Sequence, residues 1–153
     1  MNYFAFVVLS VGGFTACAEF GSYAFVHPVI RRLPPVHHVE VERGLLKTFG
    51  RVMPVAMTLT VVLAIAYAVH AWGDGGAPRI LACGAAVTLV VALVSTIIFN
   101  VPINRATGKW DPEHPPETWK ATRDRWEFFQ ALRSWLLLIG FVLLAATVSA
   151  QLP

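Results

Sequence analysis

Four apolar stretches, each long enough to cross a bilayer, limit what this chain can fold into: residues 3–30, 52–72, 80–101 and 130–150. A helix rises 1.5 Å per residue, so about 20 apolar residues span the hydrocarbon core. The third stretch is rich in Val and Ile, which in water would suggest strands. In lipid every backbone N–H and C=O needs an internal partner, so helices are expected instead. The whole chain of 153 residues is 56% hydrophobic and 14% charged, with mean hydropathy +0.61. A soluble domain carries about 25% charged residues. The expected fold is all-α: one integral membrane domain over residues 1–153, a four-helix bundle. A short amphipathic helix, residues 36–50, is expected at the membrane interface between helices 1 and 2, because charged and apolar side chains interleave there.

Charge placement sets the expected orientation. Of the 12 Lys and Arg, 11 fall in the segments around 31–51 and 102–133, which four spans put on one side; Arg79 stands alone on the other. The positive-inside rule makes that side cytoplasmic, with both termini outside, in a bacterial plasma membrane. This also accounts for the net charge of +3 without nucleic acid. The N-terminal stretch is read as a retained span. Ala16-Cys17-Ala18 resembles a cleavage site and Thr15-Ala16-Cys17 a loose lipobox, but no basic residue precedes the stretch and apolar residues continue to Ile30. Cys17 and Cys83 match no metal-binding spacing.

Ionisable groups inside spans are costly and need partners or a task. Glu19, Tyr23 and His27 follow one another at i, i+4 and i+8 in the first stretch, so an ideal helix places them along one face. They suit either a buried polar network that fixes packing or a site for ligand binding and proton transfer. Asn100 and Asn104 bracket Pro102 where the third stretch ends. Proline lacks an N–H, so one amide can supply the missing donor at a helix end; alternatively the pair lines a pocket. Trp126, Gln130 and Arg133 share one face at i, i+4 and i+7. Arg133 can snorkel to the interface, pair with Glu19, or grip an anion through its fork. A metal site built on Glu19 and His27 would need further ligands, and no cofactor is indicated. His37 and His38 are adjacent and point to different faces, which argues against a metal site there. His70 and His114 read as solvated.

These residues carry a resemblance. His27-Pro28 closes the first helix, Arg51-Val52-Met53-Pro54 opens the second, and Asn100-Val101-Pro102-Ile103-Asn104 closes the third. Trp126 and Arg133, seven residues apart, enter the fourth. This layout resembles the anthrone oxygenase-like family of small four-helix membrane proteins. Lys109-Trp110-Asp111-Pro112 and Pro115-Pro116-Glu117-Thr118-Trp119 look like its actinobacterial-type loop. The resemblance implies oxidation of anthrones to anthraquinones by O2 in polyketide biosynthesis, with no established cofactor. It marks Asn100, Asn104, Trp126 and Arg133 as motif residues, with His27 a looser match. Many relatives have a histidine where this chain has Gln130, and an amide does not titrate.

Two functions are therefore expected as alternatives. In the first, the protein is a membrane oxidoreductase acting on a hydrophobic aromatic small molecule, by anthrone-type oxidation or a related proton transfer. Glu19, His27 and Tyr23 would be catalytic, and Asn100, Asn104, Trp126, Gln130 and Arg133 would bind substrate. In the second, it is a non-catalytic membrane protein that binds a lipid or hydrophobic small molecule. Both expect membrane lipid as a partner, exclude nucleic acid and leave a homo-oligomer open. Four short spans without an inverted repeat argue against a transporter.

Overall fold

The computed structural model describes residues 2–151, so the expected domain limits at 1 and 153 lie outside the described residues. Four helices are long and apolar enough to span a membrane: α1 (Tyr3–Ile30), α3 (Phe49–Asp74), α4 (Gly76–Thr107) and α5 (Trp119–Ala150). A shorter helix, α2 (Pro35–Lys47), joins α1 to α3. Asn2 caps α1 by accepting a 3.1 Å hydrogen bond from the Ala5 N–H. Pro35 starts α2, where its missing N–H costs nothing. The last residues of α3, Ala71–Asp74, tighten into a 3-10 turn. Gly75 and Gly76 then reverse the chain with φ of 67° and 48°, a conformation that glycine adopts without strain.

The spanning helices pack in a ring, each against two neighbours: α1 on α3, α3 on α4, α4 on α5 and α5 on α1. Small residues face inward. Ala64, Ala71, Ala82, Ala85 and Ala92 are fully buried, while Phe6, Phe14, Val55, Ile97 and Phe128 lie exposed outside. That arrangement suits a lipid-facing bundle, because small side chains let helix backbones approach closely. At Gly140 of α5 a Cβ would lie 2.6 Å from Leu89 Cγ of α4. Thr15 and Thr60 hydrogen-bond at 2.9 Å between α1 and α3. At the end away from α2, Tyr67 donates to Gln151, which donates to Asp74, both at 2.5 Å.

Two helices widen into π turns, both just before a proline. α1 widens into a π turn at Ser22–Val26 ahead of Pro28, and α4 does so at Thr96–Asn100 ahead of Pro102. Proline removes one hydrogen bond and crowds the preceding turn; a π turn absorbs one extra residue and relieves the crowding. The helix therefore does not stop where the third apolar stretch ends at 101: α4 runs on through Pro102 to Thr107. The fourth helix likewise starts earlier than its apolar part, at Trp119.

Candidate functional site

At the α2 end of the bundle, side chains from all five helices surround one recess. It encloses about 590 Å³ with its open mouth counted, but only about 70 Å³ can hold the centre of a water molecule. One wall is apolar: Leu45 and Leu46 from α2, and Phe49, Met53 and Met57 from α3. The polar lining comes from Glu42 of α2 and, on the other helices, from Glu19, His27, Asn104, Trp126, Gln130 and Arg133.

Two ion pairs bracket the recess. Glu19 is fully buried on α1. Its Oε2 accepts from Arg133 Nη2 at 2.8 Å and from Gln130 Nε2 at 3.0 Å. Arg133 also donates to Gln130 Oε1, and Ser134 Oγ donates to the Glu19 carbonyl at 3.2 Å. Of the three readings open for Arg133, the structure therefore shows pairing with Glu19. Charged partners at these distances make the stronger class of hydrogen bond, and a buried carboxylate requires one.

The second pair joins Arg123 of α5 to Glu42 of α2, Nη2 to Oε1, at 2.5 Å. Glu42 Oε1 lies 3.5 Å from His27 Nδ1 and 3.9 Å from His38 Nε2. The Arg123 guanidinium also lies over the Trp126 ring, 4.2 Å from its centroid, a cation–π contact. The His27 ring packs on the same tryptophan, with centroids 4.8 Å apart. Burial pushes the Glu42 carboxyl above its ordinary range, with Arg123 pulling the other way. His38 is held below its ordinary value, first by burial and then by Arg123. Desolvation disfavours the charged form in each case. Sequence reasoning missed this group. Neither His38 nor Glu42 figures among the expected site residues, yet they are 4% and 2% exposed. Two signals pointed to it: His38 and Glu42 are spaced i, i+4, and Arg123 extends the Trp126–Gln130–Arg133 stripe by one turn.

Several expected site residues fall together and others do not. Glu19, His27, Asn104, Trp126, Gln130 and Arg133 all line the recess. Tyr23 does not, which corrects the expectation of one shared α1 face. Eight residues of ideal helix overshoot by about 80°. The π turn takes in one residue, so Glu19 and His27 return to nearly the same direction while Tyr23 is swung aside. Tyr23 instead lines a separate groove between α1 and α5. Asn100 is fully buried but contributes no wall to the recess; its Nδ2 donates to the Trp126 carbonyl at 3.2 Å. It neither supplies the donor missing at Pro102 nor faces the recess, and it clamps α4 to α5.

Six buried polar atoms of the recess residues have no hydrogen-bond partner among the described residues: His27 Nδ1 and Glu42 Oε1, which lie in the ion-pair group with Arg123, and Glu19 Oε1, Arg133 Nε, Asn104 Oδ1 and Trp126 Nε1. Buried polar groups are nearly always satisfied, so this set marks a place where a polar ligand fits. For a metal, no group of three His, Cys, Asp or Glu is suitably arranged among the described residues. His27, His38 and Glu42 come nearest, but the Arg123 guanidinium occupies the Glu42 carboxylate.

Fold and site together define a bundle of four membrane-length helices with an ionised, partly unsatisfied pocket at one end. Residues 45–143, well over half the chain, match the family model for anthrone oxygenase, and the chain belongs to that family. The match contains Asn100, Asn104, Arg123, Trp126, Gln130 and Arg133, and leaves out Glu19, His27 and Glu42. No curated protein and no solved structure matches the chain.

Proposed function

We propose that this protein is a membrane oxygenase that converts a planar phenolic anthrone to the corresponding anthraquinone with O2, working at the cytoplasmic edge of the membrane. The observation that carries the reading is the recess itself, whose lining combines apolar side chains for fused rings with buried polar atoms that lack a hydrogen-bond partner. His27 acts as the base. Its Nδ1 lies 3.5 Å from Glu42 Oε1, which leaves the other ring nitrogen for substrate. Glu19 is the weaker candidate, because Arg133 and Gln130 already occupy one of its oxygens.

The chemistry balances without a further oxidant. His27 takes a proton from the methylene carbon opposite the ketone, and the electron pair moves onto the ketone oxygen. Arg133 Nε and Trp126 Nε1 are suited to hold that oxyanion, and donors aimed at developing charge are the usual large term in such steps. The carbanion form of the ring adds O2, and the returned proton completes a hydroperoxide. Loss of the second hydrogen from the same carbon breaks the O–O bond, forms the new ketone and releases water. Asn104 Oδ1 accepts from a phenolic hydroxyl and sets the ring plane.

The test is oxidation of 1,8-dihydroxyanthrone by purified protein, followed by quinone absorbance and O2 consumption. A positioned base contributes about 10²–10⁴-fold, so His27→Ala is expected to lower kcat by that range. Equal rates for wild type and His27→Ala would remove the mechanism. One observation favours the alternative of a non-catalytic binder of lipid or hydrophobic small molecules: the water-sized space in the recess is only about 70 Å³. Met53, Met57 and Leu45 must repack before three fused rings fit; methionine is well suited to doing so.

A further inference from the structure

The recess is covered on its α2 side. Glu42, Leu45 and Leu46 line it from above, and Arg123 holds Glu42 down at 2.5 Å. A second groove lies between α1 and α5, on the outer side of the same residues. It encloses about 800 Å³, with about 410 Å³ available to water centres, which is far more room than in the recess. Phe20, Tyr23, Ala24 and Trp135 form its walls. Phe20 meets Trp135 edge to face at 5.0 Å and Tyr23 at 6.0 Å. Arg31 and Glu127, paired at 2.8 Å, stand at one end. His27 and Gln130 line both the groove and the recess.

We propose that this groove is a binding site for the planar aromatic substrate on its way from the bilayer, and that His27 and Gln130 form the partition it passes to reach the recess; the substrate's identity rests on the function proposed above. The chemistry fits a flat phenolic ring system. Ring faces and edges line the walls, the groove sits within spanning segments of α1 and α5, and polar groups collect at the inner wall. Aromatic walls with a few convergent polar groups are the usual make-up of a small-molecule site. The π turn at Ser22–Val26 places Tyr23 here, so the residue excluded from the recess becomes a contact on the access path.

The experiment uses the full chain in phosphatidylcholine liposomes with a photoreactive hydroxybenzophenone, adducts being mapped by peptide mass spectrometry. Adducts are expected on residues 20–24 and at Trp135, and Ala24→Trp, which fills the groove without entering the recess, is expected to suppress them. For anthrone delivered from the liposome, Ala24→Trp should lower kcat/KM by about tenfold with kcat little changed, the pattern of lost substrate capture. Adducts confined to α2 and α3, or labelling of the groove by a photoreactive acyl lipid but not by the benzophenone, would overturn the proposal. If Ala24→Trp does not fold, labelling of the wild type alone decides. Groove labelling without any anthrone turnover keeps the aromatic site and removes the oxygenase reading; turnover with labelling elsewhere does the reverse.

Discussion

Replacing Arg133 with methionine tests whether the Glu19 pair holds the bundle together. Glu19 is 0% and Arg133 6% exposed, so the substitution strands a carboxylate in the interior with Gln130 as its one remaining side-chain donor. Breaking a buried pair from one side costs about 3–5 kcal/mol. Glu19→Gln is expected to cost less, about 1–3 kcal/mol, because an amide still accepts from Arg133 and Gln130. In the double variant both charges are gone, and stability should recover most of the Arg133→Met loss, giving a coupling of about 2 kcal/mol or more in a double-mutant cycle. The assay is reversible unfolding in mixed dodecyl sulfate micelles, followed by far-ultraviolet circular dichroism. If Arg133→Met alone lies within about 1 kcal/mol of wild type and the double variant is no better than additive, then Glu19 does not depend on Arg133, and the account of the pair is wrong.

Three further outcomes are expected. Gly140→Ala brings a Cβ to 2.6 Å from Leu89 Cγ and should destabilise by about 1–3 kcal/mol; in the same unfolding assay Leu89→Ala in the same chain should relieve part of that, and simple additivity would contradict it. The His38 pKa is depressed on folding, so its stabilisation is present above about 6.5, the unfolded value, and is lost as pH falls through the folded value. Glu42, raised by burial, works in the opposite sense, losing stabilisation as pH rises. Melting temperatures of wild type and His38→Gln between pH 7.5 and 5.5 should therefore converge on acidification, and parallel curves would refute this. Asn100→Leu removes the amide held on the Trp126 carbonyl and should speed hydrogen exchange around Trp126 while leaving the α1–α3 contact at Thr15 and Thr60 unchanged.

The parts of the fold governed by long-range averages were legible in the chain. Apolar length located all four spanning helices, because a bilayer fixes the number of residues needed whatever their order. Helical period placed Trp126, Gln130 and Arg133 on one stripe, since α5 is regular there. The parts governed by local irregularity or by a partner's polarity were not legible. Tyr23 was mis-phased by a single extra residue in a turn that ideal geometry does not contain. His38 and Glu42 were not picked out, because an amphipathic pattern at the interface does not say which of its charges meet a polar partner. Here the bundle presents Arg123 and His27 to α2, so His38 and Glu42 are buried beside Val39.

The two π turns deserve the same physical reading, because they occur at the same end of the bundle on helices that share the site. Each precedes a proline, and each changes the direction of the polar residue nearest to it. On α1 the extra residue brings His27 beneath Glu19, so that one helix supplies both an ion-paired carboxylate and an imidazole to a single recess. On α4 the turn ends at Asn100, which lies buried against the α5 backbone, and Asn104, one turn later, reaches the recess. An uninterrupted α-helix would leave the Glu19 and His27 side chains about 80° apart, and the widened turn narrows that angle. Both turns occur where a proline has already removed the ordinary bond, so the irregularity replaces a defect instead of creating one. Proline spacing therefore connects sequence to site in this chain: His27-Pro28 and Val101-Pro102 set the position of the widened turns, and the widened turns set which side chains meet.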